Sequence, residues 1–294
     1  MRLENCDVAI AGVGLIGGSI AAALVSSGRC RAVRGWDRDP EVTNRAVQKG
    51  FLHEPSDSLE DLAAGADLFV AAVPPGDIAD VGRRAFSASA GRIRAFFDTG
   101  SAKRVVAGEL ARVWRDRYLG FHPMAGRERG GIDNAEAGLF EGCVTALVTV
   151  PETSRETKDT AGELAAVLKC SKTVEMDAET HDKTVACISH LPVFVAMALS
   201  LAAGECQKGL PGLHELAAGG FKDTSRVAQG PSWFVAQMWD QNSDNIAPLL
   251  RRVASLLETM AGSSKEELAA MSERAALSRK SVLEGRKDSG GDLL

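Results

Sequence analysis

Val8-Ala9-Ile10-Ala11-Gly12-Val13-Gly14-Leu15-Ile16-Gly17 decides the reading of the chain. A short apolar run ends in glycine-x-glycine-x-x-glycine, and a run of small and apolar residues continues through Val25. In length Val8 to Val25 approaches a membrane span. Its flank is acidic, Glu4 and Asp7, and Gly12, Gly14, Gly17 and Gly18 suit a strand, a tight turn and a helix better than a lipid helix. In that context the first glycine permits the turn, the second lets backbone approach a pyrophosphate, and the third allows close helix-strand packing. The helix start supplies oriented N–H donors. A loop that serves packing alone is the competing explanation.

Outward from this loop, to about Val150, β-rich runs alternate with helical patterns, as in crossover units of a parallel sheet. The expected strands are Val8 to Ala11, Ala32 to Trp36, Leu68 to Val73, Ile93 to Phe97, Tyr118 to Phe121 and Val144 to Val150. Ligands of open α/β sheets bind beyond the carboxyl ends of strands. Gly12, Asp37, Pro74, Ser101 and His122 are therefore expected around one cleft, with Val13, Leu15, Ile16, Val73 and Pro74 on its cofactor side. Asp37 closes the second strand about twenty positions after the glycines, where a carboxylate can accept from ribose hydroxyls and favours NAD over NADP. The neighbouring Arg38 could face a 2′-phosphate, a group that Asp37 would repel.

After a helix from about Ser154 to Leu168 and a strand near Thr173 to Met176, everything reads helical. The expected division is a dinucleotide-binding domain over 1–176 and a helical substrate-binding and dimerisation domain over 177–294. The helical part holds Ala178 to Gly204, a glycine-rich loop at 219–230, a region from Ser232 to Met260 and another from Ser264 to Leu283, with a frayed polar tail from Glu284. Leu191 to Ala203 is apolar all round, which a small helical domain buries poorly and a homodimer buries readily. The centre of a monomeric bundle is the alternative.

The chain has 294 residues, 45% hydrophobic and 25% charged, which is the makeup of a globular protein with a sizeable core. Its formal net charge of -5 comes from interleaved acids and bases without a basic block, so neither nucleic acid nor a membrane surface is an expected partner. Cys6, Cys30, Cys143, Cys170, Cys187 and Cys206 form no CxxC pair and no metal-like spacing. Free thiols in a reducing cytoplasm, with no metal, are the expectation.

Two segments carry chemistry: Asp98-Thr99-Gly100-Ser101-Ala102-Lys103 and Gly120-Phe121-His122-Pro123-Met124-Ala125-Gly126. A histidine on a strand end stiffened by Pro123, near a serine from the neighbouring strand, can act as general base on an alcohol proton while the serine orients the hydroxyl. Taken with Ile188-Ser189-His190-Leu191-Pro192, with Gly219-Gly220-Phe221-Lys222-Asp223-Thr224-Ser225-Arg226, and with Pro231-Ser232-Trp233 and Asn242, these segments resemble the motif series of the prephenate and arogenate dehydrogenases. The likeness runs from Val8 to about Asn245. It implies a Rossmann-type, mostly parallel sheet followed by an all-α dimerisation domain, with NAD as cofactor. It further implies His122 as catalytic base, Ser101 as its hydroxyl-binding partner and Arg226 as a carboxylate clamp. Glu128, Asp223 and His190 are implied to line the substrate pocket.

The implied reaction is oxidative decarboxylation of prephenate to 4-hydroxyphenylpyruvate in tyrosine biosynthesis, with arogenate giving tyrosine as the alternative. Two positions depart from the pattern. Val193 stands where a second histidine is common, which leaves the substrate side chain open. Arg127 stands where serine or threonine is common, as a second carboxylate partner or a solvated surface arginine. No βαββαβ pattern remains for an appended ligand-sensing domain, so control by one is not expected, although tyrosine could compete at the active site. Two rivals keep the architecture: a β-hydroxyacid dehydrogenase or pyrroline carboxylate reductase using Lys183, and a non-catalytic NAD-binding sensor dimer.

Overall fold

A computed structural model of the chain describes residues 2–127 and 129–285. Its eight strands are β1 (Asp7–Ala11), β2 (Ala32–Trp36), β3 (Glu54–Pro55), β4 (Leu68–Ala71), β5 (Ala95–Asp98), β6 (Tyr118–Pro123), β7 (Val144–Val148) and β8 (Lys172–Met176). They form one sheet in the order β3-β2-β1-β4-β5-β6-β7-β8. Every pairing is parallel except β6 with β7. The order runs outward in one direction from β1 and in the other from β4, so the switch point lies between those two strands, directly beyond the glycine loop.

Strand alternation feeds both faces of the sheet. Val8, Ile10, Leu68, Val70, Ala95 and Phe97 enter one apolar core, shared with the helix Leu15–Ser27 and the helix Arg155–Val167. Their neighbours Ala9, Ala11, Phe69, Ala71 and Phe96 enter the other, against the helices Leu59–Ala64, Ile78–Ala88 and Arg104–Trp114. A period of two with helices on both faces explains why these strands are nearly continuous in hydrophobicity. Phe96 stacks between Phe69 and Trp114, with ring centroids 5.5 Å and 4.7 Å away.

The two-residue strand β3 was not expected from the sequence, since Glu54-Pro55 carries no apolar alternation and both residues are exposed. Proline is tolerated there because β3 is an edge strand. The glycine-rich stretch expected as a loop is instead a short helix, Gly219–Ser225, followed by a turn at Arg226–Gln229. Thr224 and Ser225 turn their hydroxyls back to the carbonyls of Gly220 and Phe221, and the packing of this short helix on Leu191–Cys206 offsets the poor helix propensity of glycine.

The run Ala178–Gly209 is long and apolar enough to cross a bilayer by length and composition, and only 22% of its most apolar window is buried within the single chain. It is not one uniform helix. A π-turn at Ala186–His190 separates Ala178–Val185 from Leu191–Cys206. Pro192 accounts for the defect, because it lacks an N–H and its ring crowds the carbonyl of Ile188. Compactness divides the chain into Met1–Ile246 and Ala247–Leu294, so the first helices after the sheet cluster with it. The second unit carries the end of the helix Ser232–Gly262 and the helix Lys265–Glu284, which starts with a capping box between Ser264 and Glu267.

Candidate active site

Gly12 ends β1 with φ +84, and a Cβ there would lie 2.6 Å from the carbonyl oxygen of Ala72, just past β4. A Cβ on Gly17 would lie 1.9 Å from the Gly12 carbonyl oxygen. Both glycines are thus required by backbone packing at the switch point. Gly14 differs: nothing lies within 4 Å of a Cβ there, which leaves open space over the start of the helix Leu15–Ser27. That opening, at the N-terminus of a helix, leaves room for an anionic group such as a pyrophosphate. Asp37 Oδ2 accepts the Val13 amide at 2.9 Å and Oδ1 accepts the Asp39 amide at 3.1 Å, so the carboxylate braces the glycine loop and retains further lone pairs. Val73 and Pro74 are half-buried past the end of β4, and Arg38 is exposed beside Asp37.

His122 lies near the end of β6, beyond the last residue paired with β5, Gly120. Because that pairing has already stopped, Pro123 removes no ladder bond on the β5 side. His122 Nδ1 lies 2.9 Å from Nε2 of His181, whose Nδ1 lies 2.7 Å from Asp182 Oδ1. Asp182 also accepts the backbone amides of Lys103 at 2.7 Å and Arg104 at 2.9 Å, where the helix Arg104–Trp114 begins. A carboxylate at that helix start meets otherwise unpaired N–H groups and the positive end of the macrodipole.

Beneath this row, Lys103 is fully buried. Its ammonium donates to the Asp98 carbonyl at 2.8 Å and pairs with the Asp98 carboxylate, which also accepts the Tyr118 hydroxyl at 2.8 Å. Gly120 makes room for it, since a Cβ there would lie 2.9 Å from Lys103 Cδ. Burial of most of its ring pushes His122 well below the ordinary imidazole range, and nearby His181, Lys103 and His190 push the same way. The imidazole is therefore neutral near pH 7 and has a lone pair free to accept a proton. Burial also lifts the thiols of Cys6, Cys30 and Cys170 to about 11, so none of them offers a thiolate.

His190 is buried in the same cluster, pushed down to about 4 by burial against the opposing pull of Asp182. Positions 181 and 190 would face opposite sides of an uninterrupted α-helix; the wider π-turn between them rotates His190 back toward the side of His181. Asn242 breaks its own helix with φ -142 and sends its amide to the Asp182 carbonyl at 2.8 Å, with His190 Nδ1 3.3 Å away. Nε2 of His190 is buried without a hydrogen bond of good geometry.

The structure brings His122 and His190 into one cluster and sets the Ser101 backbone beside His190. Among the described residues no hydrogen bond joins the Ser101 hydroxyl to His122. Asp223 and Arg226 are exposed on the short helix and the turn that packs against Leu191–Cys206. Arg127 pairs with Glu136, both side chains half-exposed. Glu128 lies outside the described residues. Lys183 points into an exposed pair with Glu179 at 3.1 Å, away from any role as a buried acid. Sequence reading missed His181, Asp182 and the bracing part of Lys103. The one available signal was a His-Asp pair opening a helix shortly before the Ser-His-Leu-Pro segment.

A glycine loop at the switch point of a mostly parallel sheet, with a histidine at the end of β6 and a helical continuation, defines a Rossmann-type fold. Residues 20–174 match the family described as "Prephenate dehydrogenase, nucleotide-binding domain", and residues 177–271 match "Prephenate dehydrogenase, dimerization domain". The chain belongs to the prephenate dehydrogenase family. It is 32% identical over 233 residues to the prephenate dehydrogenase of Lactococcus lactis subsp. cremoris, covering 76% of this chain and 62% of that relative. Its fold is similar to prephenate dehydrogenase from A. aeolicus, solved in complex with hydroxyphenyl propionate and NAD+, with TM-score 0.82 and 25% identity over 94% of this chain and 98% of that one. It is also similar to Synechocystis arogenate dehydrogenase, with TM-score 0.77 and 26% identity over 94% of this chain and 99% of the other.

Proposed function

We infer that the protein is an NAD-dependent prephenate dehydrogenase, carrying out oxidative decarboxylation of prephenate to 4-hydroxyphenylpyruvate. The observation that carries the reading is the neutral His122, on the strand two places from the switch-point strand β4, in a chain of this family. The open space over Gly14, the backbone contacts that require Gly12 and Gly17, and the free lone pairs of Asp37 fit a dinucleotide with an unmodified ribose. Bound there, the nicotinamide supplies the hydride acceptor. Gly14 and the helix start at Leu15 would hold the pyrophosphate, Asp37 would hold the ribose hydroxyls, and Val73 and Pro74 would border the cofactor.

His122 Nε2 removes the proton from the ring C4 hydroxyl while the C4 hydrogen leaves with its electron pair as hydride. The C4–O bond becomes a carbonyl, the C1–carboxylate bond breaks to release carbon dioxide, and its electrons complete the aromatic ring, with the carbonyl taking a proton to become the phenol. Ser101 orients the hydroxyl, Arg226 clamps a substrate carboxylate with parallel N–H bonds, and His190 faces the pocket. Asp223, Arg127 and Glu128 belong to the substrate side, and Arg127 must exchange its Glu136 pair to take part. Arogenate is the second substrate to test, because Val193 removes a polar contact that would distinguish the keto acid from the amino acid.

The functional division falls at 176/177, a reading supported by the separate family matches on either side. Helices beyond it pair two copies of the chain. Support comes from Leu191–Cys206, in which Ser200 alone interrupts the apolar run up to Ala203 and only Ala196 is buried. The protein works in the cytoplasm, consistent with six unpaired cysteines. Incubation with prephenate and NAD should yield NADH, carbon dioxide and 4-hydroxyphenylpyruvate in equal amounts. Absence of all three with prephenate and with arogenate, in protein that binds NAD, would favour the sensor reading.

A further inference from the structure

We propose that His181 and Asp182 are positioning residues that fix the tautomer of His122, holding its proton on Nδ1 and leaving Nε2 as the bare base. This rests on the reading of His122 as the base, and the geometry behind it is a directional row of three side chains. Asp182 cannot be the donor in the row. Its Oδ1 already accepts the Lys103 amide and its Oδ2 the Arg104 amide, both at the start of a helix that favours the ionised carboxylate. The His181 Nδ1 in contact with Oδ1 at 2.7 Å must then carry the proton. A neutral His181 so protonated presents a lone pair at Nε2. That lone pair meets His122 Nδ1 at 2.9 Å and requires a proton there. Only one nitrogen of a neutral imidazole is protonated, so Nε2 of His122 is left unprotonated.

Asp182, in turn, is pinned from behind. Asn242 donates to its backbone carbonyl at 2.8 Å, the Lys103 and Arg104 amides hold its carboxylate, and Asp182 and His181 are both almost wholly buried, so a side chain that turned out of the row would leave its partners without replacement by water. The groups facing the row from other elements are Lys103, Asp98 and His190, and the first two are already paired with each other. When His122 accepts a proton, the imidazolium lies against the His181 lone pair with the Asp182 charge behind it. No proton need leave His122 along the row. The arrangement does for an imidazole pair what a carboxylate does for the histidine of a serine-protease triad, where the wrong tautomer costs about 10⁴ in rate.

The direct test is nitrogen-15 NMR of histidine-labelled protein without substrate, which reads each tautomer. His122 and His181 should both appear as the Nδ1–H form at pH 7. A bare Nδ1 on His122, or a doubly protonated His181, overturns the proposal. The kinetic arm compares His181→Leu, which removes the acceptor, with His181→Gln, whose amide oxygen can replace it. His181→Leu should lower kcat by roughly 10²–10³-fold with KM and NAD affinity changed by less than about threefold, and His181→Gln should restore at least about tenfold of that loss. A folded His181→Leu with wild-type kcat also overturns it. If that variant does not fold, the tautomer of the wild-type protein decides. Failure of the wild-type protein to oxidise either substrate defeats the dehydrogenase reading instead, while the NMR result still stands on its own.

Discussion

Asp37 reaches back from the end of β2 to accept the Val13 amide at 2.9 Å, so the residue proposed to hold the ribose also braces the loop proposed to take the pyrophosphate. Asp37→Ala removes both functions. The expected result is NAD affinity weakened by about 10- to 100-fold, the scale of one or two charge-assisted hydrogen bonds, with a smaller loss for NADP. Titration of protein fluorescence with each nucleotide measures the two constants.

Two glycines of the loop separate folding from binding. Gly17→Ala puts a methyl 1.9 Å from a backbone oxygen, and overpacking against backbone should cost about 1–3 kcal/mol of stability together with NAD binding. Gly14→Ala meets nothing within 4 Å in the protein itself and should melt at the wild-type temperature, yet bind NAD poorly because the methyl occupies the pyrophosphate position. Thermal denaturation beside nucleotide titration checks both, and normal NAD affinity in Gly14→Ala would place the pyrophosphate elsewhere.

Stability should fall on mild acidification. The folded protein holds His190 down to about 4 against an ordinary value of 6.5, so the unfolded chain binds the proton first as pH falls. Stability from this group is complete above pH 6.5 and is lost progressively toward pH 4, by up to about 3 kcal/mol. His122, displaced in the same direction, adds to the slope. Urea midpoints at pH 7 and pH 5 give the slope, and His190→Gln should make it shallower.

Asn242 supports the row from below, through the Asp182 carbonyl and His190. Asn242→Leu removes one of two donors to the buried Asp182 carbonyl, which keeps the Ala186 amide, and should cost about 0.5–1.5 kcal/mol. A kcat loss larger than the KM change is expected, because the site loses its alignment before it loses its substrate contacts. Steady-state kinetics with denaturant melts would show it.

The sheet was legible because its central strands β1, β4 and β5 are largely apolar on both faces and end in turns, and the alternating β2 was placed to the residue at Ala32 to Trp36. The switch-point loop was legible because its glycines answer to local backbone geometry. His122, Ser101 and His190 could be singled out by motif, but the link from His122 to His181 joins residues far apart in sequence. No periodicity reports such a link. The π-turn that brings His190 round was equally hidden, since it depends on one extra residue per turn around Pro192 rather than on composition. Arg226 shows the opposite difficulty: glycines that read as a loop form a short helix packed on Leu191–Cys206, a tertiary effect that local propensity does not carry.

The most direct measurement is the rate of NADH formation from prephenate by the wild-type protein and by His122→Asn at saturating NAD. A neutral imidazole acting as base requires the substitution to lower kcat by roughly 10²–10⁴ while NAD affinity stays within about twofold. Wild-type turnover should hold steady as pH falls through 6.5, declining only where the depressed His122 begins to take a proton. Retention of wild-type kcat by a folded His122→Asn protein would contradict the assignment of this histidine as the base.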